Sequence, residues 1–190
     1  CRMSRFFNLI RVGNVVRACG TLALLFSALS CVAFEGIGRP ATPAEIAKWD
    51  IDVRPDFAGL PAGEGSVMDG ETLWIEKCSA CHGDFGDANH VFAPLIGNTT
   101  LDDIETGRVA PLTQPGVRTT IMKIPTVSTL WDFINRAMPW DKPKSLTPNE
   151  VYAIVAYMLS LVEVVPYDFV LSNENIASVQ ERIPNRNGMS

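Results

Sequence analysis

The pentapeptide CSACH, Cys78 to His82, constrains this chain more than any other stretch. Two thiols stand three positions apart, and a histidine follows the second at once. This is the CxxCH spacing of covalent haem attachment. The spacing has a chemical reason. Thiols one helical turn apart can add to the two vinyl groups of one haem, and the adjoining histidine then gives the iron an axial nitrogen.

Three other readings compete. A redox CxxC follows a strand in a βαβ unit, whereas an amphipathic helix precedes this one. A zinc site would need Cys78, Cys81, His82 and His90. Cys81 and His82 are direct neighbours, however, and the His82 to His90 separation exceeds the usual gap of three to five residues. Two buried cysteines beside a chance histidine remain as the plain structural reading. Haem c, one per chain, is the expectation taken forward.

Composition agrees with a globular protein: 47% hydrophobic and 19% charged residues. A net charge of −5 without a Lys/Arg block argues against a nucleic-acid partner. Residues 3–33 read as a secretory signal peptide, with Cys1 and Arg2 as upstream read-through. Arg5, Arg11 and Arg17 precede a 16-residue apolar run, Ala18 to Ala33, that ends in small residues. The run falls short of the roughly 20 residues a bilayer span needs. A retained anchor is therefore the second reading, and a lipoprotein cut before Cys31 the third. Cleavage after Ala33 removes Cys1, Cys19 and Cys31, so only Cys78 and Cys81 remain and no disulfide framework is expected. Four arginines and no acid leave with the segment, which moves the formal charge to −9. The mature form is expected in the periplasm, with no membrane span.

The remainder reads as all-α. Five segments open with a hydroxyl N-cap and an acid three residues on: Thr42, Ser66, Thr100, Thr129 and Thr147. The first and last add proline at the first helical position. A final helix is expected from Ser172 to about Arg182. The Thr147 helix carries Val151, Ile154, Val155, Met158, Leu159 and Val162 at helical spacing, so one face should be buried. In the Ser66 helix, Gly70 and Trp74 lie one turn apart. Glycine there suits a close helix crossing, with Trp74 filling its rim and Tyr157 lying over Gly70. The stretches 50–65 and 107–125 are irregular, which suits chain wrapped around a large apolar group. The expected organisation is a signal peptide (1–33), an N-terminal extension (34–64), a haem domain (65–165) and a C-terminal extension (166–190).

Two further positions follow from the haem reading. A ligating histidine needs its other nitrogen held. Pro94, in the segment Phe92 to Gly97, can turn the chain and aim its carbonyl at His82. For the sixth iron position His90 is too near His82 and reads as surface. Methionine is the usual alternative. Met68 and Met158 fall on helical faces and read as core, and Met189 lies at the chain end. Met122 and Met138 remain, and Met138 is preferred because Pro139 stops its helix and fixes its place.

These residues resemble the class I c-type cytochromes from about Ser66 to Val165: GETLWIEKCSACHG, APLIG, AMP and VYAIVAYMLSL occur in that family's order. The resemblance implies a helical fold packed around one haem. It implies Cys78 and Cys81 as thioether anchors, His82 and Met138 as axial ligands, and Pro94 as the carbonyl partner of His82. RPATPAEIAKWDIDVRPD, LWDFINRAMPWDKPKSLTPNEVYAIVAYMLSL and PNRNGM further resemble the cytochrome subunit of bacterial Sox-type sulfur or sulfite dehydrogenases. That likeness implies an electron-transfer protein without substrate chemistry of its own. A molybdenum-cofactor subunit would be its electron donor, and another cytochrome or an oxidase its acceptor. Larger members carry two CxxCH motifs and this chain has one. A freely diffusing carrier is the alternative, and a haem enzyme or gas sensor with an open iron position is a third class.

Overall fold

The computed structural model describes residues 38–88, 90, 92–109 and 118–188. The expected signal peptide lies outside the described residues. Two units divide between Glu45 and Ile46. In the first, Arg39 pairs with Glu45, and Thr42 and Glu45 form the expected capping box: Glu45 accepts the Thr42 amide at 2.9 Å and the Thr42 hydroxyl accepts the Glu45 amide at 3.3 Å. The short helix α1, Pro43–Ile46, starts there. In order, the other elements are β1 (Glu64–Ser66), α2 (Val67–Lys77), α3 (Ser79–His82), α4 (Leu101–Thr106), α5 (Val127–Ala137), α6 (Pro148–Ser160), β2 (Val170–Ser172) and α7 (Ile176–Gln180).

Capping chemistry sets most helix starts. Ser66 accepts the Asp69 amide at 3.0 Å and opens α2. Thr100 with Asp103, and Thr147 with Glu150, form complete capping boxes on α4 and α6. Gly107 ends α4 in the left-handed conformation, φ +69°. α5 departs from expectation: its cap is Thr126, one turn before Thr129, whose own amide donates to Thr126. The helix starts earlier because Val127 and Ser128 are fully buried and Gln180 from α7 accepts the Val127 amide at 2.9 Å. α7 is likewise shorter than expected and starts after Asn175, whose side chain makes no capping bond, because Ser172 is taken up as the last residue of β2.

The fold is helical with one small sheet, so the all-α expectation needs that correction. β1 and β2 pair antiparallel with Gly65 opposite Leu171. Three residues per strand are too few to show alternation in a sequence. Gly65 presses on α6, where an added Cβ would lie 2.3 Å from the Ala153 amide nitrogen.

α6 is the centre of the core. Every residue from Val151 to Leu159 is buried, a fuller burial than the single face expected. α2 crosses it at Gly70, with β1, α5 and β2 packed around the rest. At the crossing the backbone of Ala153 is nearest to Gly70 and the Cβ of Tyr157 next, so Tyr157 shares with Ala153 the place expected for it alone. Trp74 and Tyr157 meet with ring centroids 5.8 Å apart.

Both flanks of the haem-motif region pack within the second unit. From the N-terminal side, the buried Val53 donates its amide to Asp132 of α5 at 2.9 Å, and Arg136 pairs with the same carboxylate. Tyr152 of α6 donates to the Pro61 carbonyl at 2.8 Å. From the C-terminal side, Leu171, Ile176, Val179 and Ile183 are buried in the common core. Arg186 donates to the carbonyls of Ile104 and Glu105, and Asn187 to that of Thr106. These bonds satisfy acceptors that the end of α4 leaves open, and the guanidinium sits at the negative end of that helix.

Candidate functional site

α2 runs directly into the motif. Cys78 ends α2 and caps the one-turn helix α3, and its carbonyl accepts the amides of Cys81 (3.2 Å) and His82 (3.1 Å). Gly83 closes the turn with φ +78°, a conformation that favours glycine. Cys78 is half-buried, Cys81 is exposed, and both are free thiols. Burial pushes the Cys78 thiol up to about 11, against a smaller lowering by Lys77. Burial also lowers the His82 imidazole, which keeps it neutral with a lone pair to donate.

Aromatic rings surround that imidazole. Trp74 lies 6.1 Å from it and Phe92 5.7 Å, centroid to centroid. Phe92 in turn meets Trp140 edge to face at 5.8 Å. Trp140 is 73% exposed, so an aromatic row leads from His82 to the surface.

The chain after the motif is tied down on both sides. The Trp74 indole donates to the Gly83 carbonyl at 2.9 Å, and the Tyr157 hydroxyl to the Asp84 carbonyl at 3.0 Å. Gly86 accepts the amides of Leu95 and Ile96 at 2.8 and 3.0 Å, and Ile121 donates to Leu95 at 3.0 Å. Pro94 is buried in this segment. Its carbonyl accepts the Thr120 amide at 3.1 Å, which leaves that oxygen one lone pair for a second donor.

The methionines separate by environment. Met122 and Met158 are buried in the core. Met68, expected in the core, is 59% exposed: it sits on the outer side of α2, away from the face that crosses α6. Met138 is half-buried at the C-cap of α5, against the edge of the core. Of these four, Met138 alone is neither sealed in the core nor on the outer surface. His90 is exposed.

The donor set fits haem and not a bare ion. Among the described residues no three His, Cys, Asp or Glu side chains converge to hold a metal. A porphyrin brings most of its iron's ligands with it and asks the protein for few. Free thiols one turn apart, a neutral imidazole between two apolar rings and a half-buried thioether supply what that group takes from a protein.

Comparison with known proteins agrees. Residues 65–158 match the family model described as cytochrome c oxidase, cbb3-type, subunit III, a c-type cytochrome. The chain belongs to the c-type cytochromes, electron carriers that hold haem c covalently. Among solved structures it is similar to a chain of the sulfane dehydrogenase SoxCD from Paracoccus pantotrophus. That match has 36% identity, a TM-score of 0.68, and coverage of 82% of this chain and 71% of the other. It supports the likeness to the Sox cytochrome subunit. A comparison with curated protein sequences found no match. No helix among the described residues is long and apolar enough to cross a membrane.

Reasoning from sequence missed the ring of Phe92 beside His82, that of Trp140 beyond it, and the two hydrogen bonds from Trp74 and Tyr157. The second pair left a signal. Buried indole and phenol groups need hydrogen-bond partners, and a helix crossing alone offers neither residue one.

Proposed function

We propose that this chain is a periplasmic monohaem cytochrome c that accepts single electrons from a molybdenum-cofactor subunit oxidising sulfite or a related sulfur species. It would pass them to another cytochrome or an oxidase. Cys78 and Cys81 would anchor the haem, His82 and Met138 would ligate its iron, and the Pro94 carbonyl would orient His82. When bound, haem supplies a one-electron ferric–ferrous couple. The protein's part would be to supply His82 and Met138 as iron ligands and to hold His82 neutral beside apolar rings.

The observation that carries the partner is the extent of the SoxCD likeness. It covers 82% of the chain, more than the family segment 65–158 can supply. The flanks therefore share in it, and they serve a build common to both proteins. The C-terminal flank contributes buried residues to the core, so deleting it would test folding and not docking. The direct test is co-purification of the exported protein with its native partner. Molybdenum in the complex and sulfite-driven reduction of the haem are expected. A haem protein that stays free of any partner, and is not reduced by a sulfur-oxidising extract, would favour the diffusing carrier.

A further inference from the structure

We infer that Trp74 and Tyr157 are positioning residues for the iron ligand His82, and that they set the redox behaviour of the site through the two peptide carbonyls that follow it. The inference rests on the haem reading above. Its geometry is independent of that reading.

Both side chains leave the same helix crossing, one from each helix. Trp74 lies one turn after Gly70 in α2, and Tyr157 one turn after Ala153 in α6. The crossing itself has little freedom. A Cβ on Gly70 would lie 1.9 Å from the Ala153 carbonyl oxygen, so the two helix backbones are in contact. From this base the Trp74 N–H reaches the Gly83 carbonyl (2.9 Å) and the Tyr157 O–H the Asp84 carbonyl (3.0 Å). These are the carbonyls of the first and second residues after His82. The same Trp74 ring also meets the imidazole at 6.1 Å, and a Cβ on Gly86 would lie 3.5 Å from it.

The post-motif turn closes on itself through the Gly86 amide on the Gly83 carbonyl (3.2 Å) and the Ala88 amide on the His82 carbonyl (3.1 Å), but it is held to the helix crossing by Trp74 and Tyr157. Gly83 and Gly86 both have positive φ, and Asp84 and Phe85 between them are exposed. Glycines in such a turn give the backbone more freedom than any other residue. Two hydrogen bonds from buried core side chains reduce that freedom further next to the ligand. Ligand orientation is one of the levers by which a protein tunes a metal.

A control is built into α6. Tyr152 donates to the Pro61 carbonyl at 2.8 Å. That bond is of the same chemical kind, from the same helix, but ends far along the chain from the motif. Tyr157→Phe and Tyr152→Phe each delete one hydroxyl and keep the ring. In the matured, haem-loaded protein both should lower stability to a similar extent. Only Tyr157→Phe should move the reduction potential and the paramagnetically shifted NMR signals of the His82 ring. At a poise that holds the parent half reduced, the oxidised-to-reduced ratio should change roughly two- to tenfold, the range one hydrogen bond commands. Trp74→Phe should act in the same way. The inference is overturned if all three variants lose stability while potential and His82 signals stay at parent values. It is equally overturned if Tyr152→Phe shifts them as far as Tyr157→Phe does. A parent protein with no covalent haem would instead defeat the reading beneath it, and mass measurement before any variant is made separates the two failures.

Discussion

Gly70→Ala is the sharpest structural test of the frame that carries the site. In an exposed helix this change would stabilise by up to about 1 kcal/mol, because alanine is the better helix former. Here the new methyl would lie 1.9 Å from the Ala153 carbonyl oxygen, 2.6 Å from its carbon and 2.9 Å from the Tyr157 Cβ. Two of those neighbours are backbone and cannot rotate away. α2 and α6 would have to part by roughly 1 Å to restore a normal contact. Overpacking a tight core costs typically about 1–3 kcal/mol and occasionally more. A clash with backbone that cannot move puts the cost at the upper end, about 3 kcal/mol, so after the propensity gain the net loss is about 2 kcal/mol. For a unit of this size that lowers Tm by roughly 4–8 °C, measured by circular dichroism on the haem-loaded protein. Adding Ala153→Gly should not rescue it, since the clash is with the carbonyl and not the methyl. An unchanged or higher Tm for Gly70→Ala, or rescue by the second change, would refute the close crossing.

Three other outcomes follow. Met138→Leu should abolish the ferric absorption band of methionine–iron bonding, while Met122→Leu should keep it; the reverse result would move the ligand. Arg186→Ala should cost about 1–3 kcal/mol in denaturant unfolding by stripping charge-assisted donors from the end of α4, and loss of haem without loss of stability would contradict that. Burial raises the Tyr152 phenol from 10 to about 12. The folded chain thus keeps a proton that the unfolded chain releases near pH 10, so this contribution is full below pH 10 and is lost as pH rises towards 12. Tyr152→Phe should flatten the stability–pH curve across that window, and an unaltered slope would count against the burial.

Signals confined to a few adjacent residues were legible from the sequence. The hydroxyl–acid caps placed α2, α4 and α6, and CSACH stood where a helix ends. What depended on distant chain was not. Gln180 moved the start of α5 to Thr126, and no local pattern reports a donor satisfied from 53 residues away. β1 and β2 exist because residues 64–66 and 170–172 find each other. Met68 shows the limit of periodicity: its spacing fits a helix face, but only packing against α6 decides which face is inside. At the site, the motif residues themselves could be read, while the rings and carbonyl clamps around His82 come from four separate segments.

The most direct measurement is mass spectrometry of the peptide spanning Cys78 to His82, taken from protein exported through a haem-attaching system. The expected result is a coloured peptide heavier by one haem, with neither thiol open to alkylation. A colourless peptide of bare-chain mass, with both thiols alkylated, would contradict the central claim.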